Sequence, residues 1–269
     1  MTMGKLQAVV FDWAGTMIDH GSLAPMGAFV ETFARFGVEI SVDEARGPMG
    51  MAKRDHISAL IHAPRVAAAW AAAHGAPPGE AEIDRIYEVF VPMNAAVVAD
   101  HAQLIEGAAD VARDLRARGL KIGSTTGYTH DIMDRVLPLA AEQGYAPDSL
   151  VCTGDTPVGR PSPLMLYRSF LDLAVWPAWA AVKVDDTEVG VAEGLNAGCW
   201  TVGVALTGNV FGLTPADTAA LAPADFAARR DAAYAALTRA GAHFVIDGVA
   251  DLPEVLDAIE GALARGERP

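Results

Sequence analysis

The sequence predicts an α/β fold in which a doubly wound parallel sheet carries an inserted helical cap domain. Short apolar runs end abruptly in polar or acidic residues, as buried parallel strands do. Helical patterns alternate with these runs along the chain. The stretch 21–101 has helical patterns but no run of this kind. We therefore expect a core formed by residues 1–20 and 102–269, and a cap formed by residues 21–101.

The core strands are expected at apolar runs that stop at a polar residue. These runs are 6–11, 122–123, 180–184, 200–206 and a last strand at 243–246. Helical patterns follow them at 108–118, 188–196, 215–240 and 252–264. Ligands of such sheets bind beyond the carboxyl ends of the strands. The polar residues at these ends are therefore expected to converge on one site.

The cap is expected to consist of helices joined to the core by a short hinge. Its clearest helical patterns are 24–36, 43–63 and 83–98, and the alanine-rich stretch 66–73 also favours a helix. The polar segment 19–22 precedes the first of them. We favour this segment as the hinge, and the other interpretation is that it contributes a polar group to the site.

Composition excludes several classes of protein. The 269 residues carry a formal net charge of -14, which disfavours nucleic acid and anionic membranes as partners. Cys152 and Cys199 are too few and too far apart for a disulfide framework, and we expect both to be buried. No apolar run approaches the ~20 residues of a membrane span. The start of the chain lacks a secretion signal, so a cytoplasmic protein is expected.

Asp12 is the first candidate for chemistry. It follows an apolar run and precedes a turn containing Gly15 and Thr16, so its carboxylate is expected at a strand tip beside backbone donors. Such a carboxylate can attack phosphorus, provided that a divalent cation screens the repulsion between two anions. The pair Asp185 and Asp186, at another strand end, supplies the further acidic groups that a cation requires.

Four motifs in this order resemble those of the haloacid dehalogenase superfamily. They are FDWAGT at 11–16, IGSTTG at 122–127 with Thr126 in the phosphate-binding position, GRP at 159–161 with Arg160, and the pair Asp185 and Asp186. Each motif alone is common, but the four together are specific. The resemblance implies a haloacid dehalogenase-like, Rossmann-like core, with Asp12 as nucleophile and Mg²⁺ as cofactor.

Position 14 departs from the ordinary phosphatases of this superfamily. They carry a second aspartate two residues after the nucleophile, which protonates the departing alkoxide, whereas this chain has Ala14. An enzyme without that acid either has a leaving group that needs no proton from it or cleaves phosphate esters poorly. Ala14 is therefore informative about the leaving group of the substrate.

In the cap, Lys53 is a candidate for the group that replaces the acid absent at position 14. The other three lysines belong to strands or strand starts, so Lys53 is the single helical one, with His56 on the same helix face and Met49 one turn before. We expect its pKa to be lowered by the charge of Arg54 and by desolvation. A neutral lysine condenses with an aldehyde to an imine, which accepts electrons from a breaking carbon–phosphorus bond. For His56, proton shuttling and an ordinary exposed position both stay open.

Longer phrases resemble the phosphonoacetaldehyde hydrolase (phosphonatase) family nearly end to end. They are 11–16, RGPMG at 46–50 leading to Lys53 and His56, GSTTGYT at 123–129, and EGLNAGCW at 193–200. The resemblance implies hydrolysis of phosphonoacetaldehyde, a small-molecule phosphonate, to acetaldehyde and phosphate in 2-aminoethylphosphonate degradation. It implies a homodimer, for which the helical cap is our expected interface.

The same resemblance assigns the site residues. It implies a Schiff base at Lys53, an aspartyl-phosphate at Asp12, and Mg²⁺ bound by Asp12, the carbonyl of Ala14 and Asp186. The expected substrate contacts are Thr126, Gly127 and Arg160, with Met49 and Tyr128 as weaker candidates.

One departure leaves the metal site open. Some superfamily members carry an acidic residue four positions beyond the aspartate matched by Asp186, where this chain has Gly190. Asp185 or Glu188 is expected to support the metal instead. Two other functions also stay open: a phosphatase of small phosphate esters, against which Ala14 argues, and a non-catalytic protein that kept the fold.

Overall fold

A computed structural model describes residues 5–269, and its core is a single parallel sheet. The six strands run in the order β3-β2-β1-β4-β5-β6. They are β1 (Ala8–Phe11), β2 (Lys121–Thr126), β3 (Ser149–Cys152), β4 (Ala181–Asp185), β5 (Trp200–Val204) and β6 (Phe244–Ile246). Because β1 lies between β2 and β4, Phe11 pairs with Ser124 on one side and Val184 on the other. The strand ends that carry the motifs are therefore neighbours.

Helices cover both faces of the sheet, because alternate residues of a strand point in opposite directions. Val9 and Phe11 belong to one buried cluster, whereas Ala8 and Val10 belong to another that includes Leu166. The α/β doubly wound fold is confirmed. The core helices are α6 (Ala108–Ala117), α7 (His130–Glu142), α8 (Leu164–Asp172), α9 (Glu188–Ala197), α10 (Pro215–Ala220), α11 (Pro223–Arg239) and α12 (Leu252–Ala264).

The inserted cap is helical and has its own apolar core. Phe29, Phe33, Ile57 and Phe90 are all fully buried within one cluster. The cap helices, which precede α6 in the chain, are α1 (Ala24–Arg35), α2 (Val42–Arg46), α3 (Lys53–His62), α4 (Pro64–His74) and α5 (Glu80–Val98). Among residues 5–269, none of the helices combines the length and apolarity that a membrane crossing requires.

The structure corrects several expected elements. The helix expected at 43–63 is two helices, α2 and α3, because Gly47, Pro48 and Gly50 form a turn between them and Gly50 has φ 90°. The expected helix 215–240 is interrupted before Pro223, which holds Ala222 extended at ψ 147°. Strand β3 was not expected. The boundaries between core and cap, after residues 20 and 101, stay predictions. Residues 1–4 lie outside the described residues.

Candidate active site

Three carboxylates converge at the ends of β1 and β4. Asp12 follows β1 directly, and its backbone N–H donates to the carbonyl of Val184 at 3.0 Å. Asp185 ends β4 and Asp186 follows it. One carboxylate oxygen from each of the three lies within 4.8 Å of the others, and all three residues are buried. The convergence expected at the strand ends is therefore present in the structure.

The electrostatics of this cluster favour a bound cation. Burial, and next the charge of Asp185, raise the pKa of Asp12 to about 6. Burial and the charges of Asp12 and Asp185 raise the pKa of Asp186 well above its usual value. Hard divalent cations prefer carboxylate oxygens, and they relieve this kind of crowding. The donor set thus fits Mg²⁺.

Arg160 holds the Asp12 carboxylate in place. Its Nη1 donates to Asp12 Oδ1 at 2.7 Å and lies 3.3 Å from Asp185 Oδ2. Its Nε donates to Glu193 Oε2 at 3.0 Å, and its Nη2 donates to the carbonyl of Thr125 at 2.6 Å. A guanidinium with this many partners has a fixed orientation. It presents positive charge at the Asp12 carboxylate.

Asp185 forms ion pairs with Arg160 and with Lys183. Its Oδ2 lies 3.1 Å from Lys183 Nζ in addition to Arg160, while its Oδ1 accepts from the Thr187 hydroxyl at 2.7 Å. Burial alone would raise the pKa of Asp185, but Arg160 and Lys183 outweigh burial and hold it below its usual value.

Gly190 makes room for Asp185. A Cβ at position 190 would lie 1.9 Å from Asp185 Cγ, so the Asp185 carboxylate fills the space that a side chain at 190 would use. Glu188, the other expected replacement, is exposed and lines a different crevice with Asp43 and Val210. The expectation for Glu188 is therefore not supported, because its side chain lies outside the carboxylate cluster.

Lys53 is buried at the start of α3, with 5% of its surface exposed. Its Nζ lies 3.9 Å from Met49 Sδ and 5.3 Å from the ring centre of Tyr128. Burial lowers its pKa to about 8, and the positive charge of Arg160 adds to this effect. The expected contribution of Arg54 is wrong, because that guanidinium points outward to Glu80 and Asp84.

His56 is fully buried, so the interpretation as an exposed helix residue is wrong. Its Nε2 lies 2.8 Å from the carbonyl of Ala45, and its ring stacks on Phe29 with centroids 4.0 Å apart. Burial, and next the charge of Lys53, lower its pKa to about 3, so it is a neutral imidazole. With Nε2 donating to Ala45, Nδ1 is left as an acceptor, which has no partner among residues 5–269. Its role as a proton shuttle stays a prediction.

One cavity between the cap and the sheet collects most of the expected site residues. It is lined by Asp12, Ala14, Met49, Lys53, Thr126, Gly127, Tyr128, Arg160 and Asp186. Asp185 and His56 lie behind this lining. Pro25, Gly50, Met51 and Thr187 also line the cavity and were not predicted as site residues, and Ser22 of the segment 19–22 lines it too. The hinge interpretation of 19–22 was incomplete, because Asp19 accepts from the N–H groups of Leu23 and Ala24 at the start of α1 while Ser22 faces the cavity.

Two further buried residues were missed by the sequence reasoning. Lys183 Nζ donates to Thr125 Oγ1 at 2.8 Å and lies 3.3 Å from Glu193 Oε2. The two residues are Lys183, which lies inside the apolar run of β4, and Glu193, which lies on the buried face of α9. A lysine within an apolar strand could have indicated a buried ion pair, because unpaired charges are seldom buried.

The chain is similar to known proteins over nearly its whole length. The family model of haloacid dehalogenase-like hydrolases matches residues 6–198. A protein of Paraburkholderia phytofirmans named phosphonoacetaldehyde hydrolase is 61% identical over 267 residues, which are 99% of this chain and 100% of that protein. A protein of Vibrio vulnificus with the same name is 46% identical over 271 residues, 100% of each chain.

Solved structures agree with this likeness. The crystal structure of a phosphonoacetaldehyde hydrolase-like protein from Oleispira antarctica has a TM-score of 0.97 and 44% identity, covering 99% of this chain and 97% of that one. A β-phosphoglucomutase from Clostridium difficile has a TM-score of 0.71 at 16% identity, covering 97% and 99%, and shows the fold alone. The chain is a hydrolase that belongs to the phosphonoacetaldehyde hydrolase family, within the haloacid dehalogenase-like hydrolases.

Proposed function

We propose that this chain hydrolyses the carbon–phosphorus bond of phosphonoacetaldehyde, giving acetaldehyde and phosphate in the degradation of 2-aminoethylphosphonate. One observation carries the proposal: the amine of Lys53 and the carboxylate of Asp12 line the same small cavity, while Ala14 stands where ordinary phosphatases have an acid. The relatives named phosphonoacetaldehyde hydrolase support the choice of substrate.

Lys53 first forms an imine with the aldehyde. With a pKa of about 8, roughly a tenth of the amine is neutral at pH 7, against roughly 0.03% at the ordinary lysine value. The neutral amine adds to the carbonyl carbon, and loss of water leaves a protonated imine. The faces of Tyr128 and Phe29, with centroids 5.3 and 5.6 Å from Nζ, stabilise this cation.

Asp12 then takes the phosphoryl group. A carboxylate oxygen of Asp12 bonds to phosphorus as the carbon–phosphorus bond breaks, and the electron pair of that bond moves into the protonated imine to give an enamine. Arg160 stabilises the negative charge on the phosphoryl oxygens, and Thr126 and Gly127 bind the same group beside it. The leaving carbon needs no proton at this stage, which accounts for Ala14.

Asp12, the carbonyl of Ala14 and Asp186 would hold Mg²⁺. When bound, the cation supplies screening between the Asp12 carboxylate and the anionic substrate. Asp185 supports the site indirectly by orienting Arg160, as its contacts indicate.

Two hydrolyses complete the cycle. The enamine takes a proton on carbon to return to the protonated imine, and water then releases acetaldehyde and free Lys53. A second water hydrolyses the aspartyl-phosphate and restores Asp12. We assign proton movement near Lys53 to His56, which lies one turn along α3 and whose buried Nδ1 has no hydrogen-bond partner among residues 5–269.

A phosphate-release assay tests the proposal. The purified chain with Mg²⁺ should release phosphate from phosphonoacetaldehyde far faster than from phosphoglycolate. Lys53→Arg should abolish the first reaction, because a guanidinium forms no imine. Lys121→Arg is the matched control, since Lys121 begins β2 away from the cavity. Turnover of phosphoglycolate without turnover of phosphonoacetaldehyde would contradict the proposal and favour a phosphatase.

A further inference from the structure

One cap residue reaches across to the core through its side chain. Arg46, the last residue of α2, donates from Nη1 to the carbonyl of Gly21 at 2.9 Å, to the carbonyl of Asn209 at 3.1 Å and to Asn209 Oδ1 at 3.2 Å. Its Nη2 donates to the carbonyl of Gly212 at 2.9 Å. One guanidinium thus binds both the hinge and the core loop 208–212, which follows β5.

The contact is reciprocal at Asn209. The side-chain amide Nδ2 of Asn209 donates back to the carbonyl of Arg46 at 3.2 Å. Asn209 therefore holds both the main chain and the side chain of Arg46. Within residues 5–269 Arg46 forms no ion pair. Its hydrogen-bond acceptors are carbonyl and amide oxygens, and these contacts fix the orientation of the guanidinium.

The same loop lies directly against a carboxylate of the site. The backbone N–H of Asn209 donates to Asp186 Oδ2 at 2.8 Å. A Cβ at Gly208 would lie 2.6 Å from Asp186 Cβ, so the loop packs onto this aspartate with no room for a larger residue. Two consecutive contacts, Arg46 to Asn209 and Asn209 to Asp186, connect the cap with the proposed Mg²⁺ site.

The cap and core also meet tightly beside this connection. A Cβ at Gly50 would lie 2.4 Å from Thr187 Oγ1, and one at Gly127 would lie 2.9 Å from the carbonyl of Met51. The turn that carries Lys53 into the cavity is therefore seated on the core in the same arrangement in which Arg46 binds loop 208–212. Movement of the cap away from the sheet would break these contacts together.

We propose that Arg46 is a positioning residue that couples closure of the cap to the orientation of Asp186, and so to Mg²⁺ affinity. With the cap closed, Arg46 holds loop 208–212 so that the Asn209 N–H fixes Asp186 Oδ2 at 2.8 Å, while Asp186 Oδ1 accepts a longer hydrogen bond from the Thr16 hydroxyl at 3.4 Å. By linkage, a cation at Asp186 stabilises the closed cap to the same extent. The inference rests on the proposed magnesium site but not on the proposed substrate.

The test measures Mg²⁺ binding by calorimetry without substrate, on the full chain and on Arg46→Ala. We expect about tenfold weaker binding in the variant, within the usual range of coupling between sites. Arg46→Lys should recover only part of the affinity, because a single ammonium cannot reach all four acceptors. Arg65→Ala is the matched control: Arg65 also lies in the cap, but its partners, Glu44 and the carbonyl of Glu39, are both cap residues.

Hydrogen exchange supplies a second readout. Mg²⁺ should slow amide exchange of loop 208–212 and of the turn 47–52 in the full chain, and should do so less in Arg46→Ala. If that variant fails to fold, Asn209→Ala replaces it, because it removes both side-chain contacts with Arg46 and keeps the N–H that faces Asp186; its Mg²⁺ affinity should also fall.

The outcomes separate this inference from the proposed function. Unchanged Mg²⁺ affinity in Arg46→Ala, or in Asn209→Ala where the first is unfolded, would overturn the coupling while leaving the proposed hydrolysis intact. A wild-type chain that binds no Mg²⁺ would overturn both the coupling and the proposed cofactor. If the chain did not hydrolyse phosphonoacetaldehyde, the calorimetry and the hydrogen-exchange results would still test the coupling, because neither measurement uses the substrate.

Discussion

Substitution of Gly190 tests whether the space around Asp185 matters. A methyl group in Gly190→Ala would lie 1.9 Å from Asp185 Cγ, whereas carbon atoms pack at about 3.5 to 4.0 Å. Asp185 would have to move by roughly 1.5 Å, a distance that breaks its contacts with Arg160 at 3.3 Å and Lys183 at 3.1 Å.

The expected loss of stability follows from the burial of these charges. Removing one partner from a buried ion pair costs about 3 to 5 kcal/mol, which for a chain of this size lowers the melting temperature by on the order of 10 °C. Gly190→Asp should be at least as destabilising. Exchanging the carboxylate, Asp185→Gly with Gly190→Asp, should restore part of both stability and phosphate release, because an acidic group again reaches Arg160.

Thermal unfolding and phosphate release of Asp185→Gly, Gly190→Asp, the double variant and the wild type form a double-mutant cycle. The reasoning predicts a favourable coupling between positions 185 and 190. It would be refuted by a Gly190→Ala variant with wild-type melting temperature and activity, or by single substitutions whose effects simply add.

Three other predictions concern the site. Arg160→Lys should lower kcat by about a hundredfold or more, because an ammonium cannot bind Asp12, Glu193 and Thr125 at once; kcat within threefold of wild type would contradict this. Since Lys53 must lose its proton to attack the aldehyde, kcat/KM should rise with pH up to about 8 and then level off; a flat profile from pH 6 to 9 would contradict the lowered pKa. Asp186→Asn should weaken Mg²⁺ binding measured by calorimetry by about tenfold or more, and an unaltered isotherm would exclude Asp186 as a ligand.

The sheet and the carboxylate cluster could be predicted from the sequence for a physical reason. The ends of adjacent parallel strands must meet, so the sequence alone predicts Asp12, Asp186 and Thr126 together. The cap as a set of helices was equally accessible from its periodicity. The placement of Lys53 over the sheet was not, because periodicity does not specify how a cap docks; it came from the resemblance to phosphonoacetaldehyde hydrolases.

What the sequence reasoning missed depends on contacts between distant segments. Arg54 follows Lys53 in the chain, but successive residues of a helix face different directions, so Arg54 turns to solvent and the positive charge near Lys53 belongs to Arg160. The short strand β3, SLVC, was missed although its apolar residues stop at the polar Thr153, because a run of three apolar residues without a recognised motif is a weak signal. The role of Gly190 as space for Asp185 depends on how α9 packs on the end of β4, which the sequence pattern does not specify.

Trapping of the imine tests the central claim most directly. Borohydride added to the chain together with phosphonoacetaldehyde should reduce the imine to a stable secondary amine, inactivating the enzyme and adding the mass of the reduced adduct to the peptide that contains Lys53. Without the aldehyde, borohydride should leave activity unchanged. An adduct on another residue, or full turnover with no adduct at Lys53, would contradict the account.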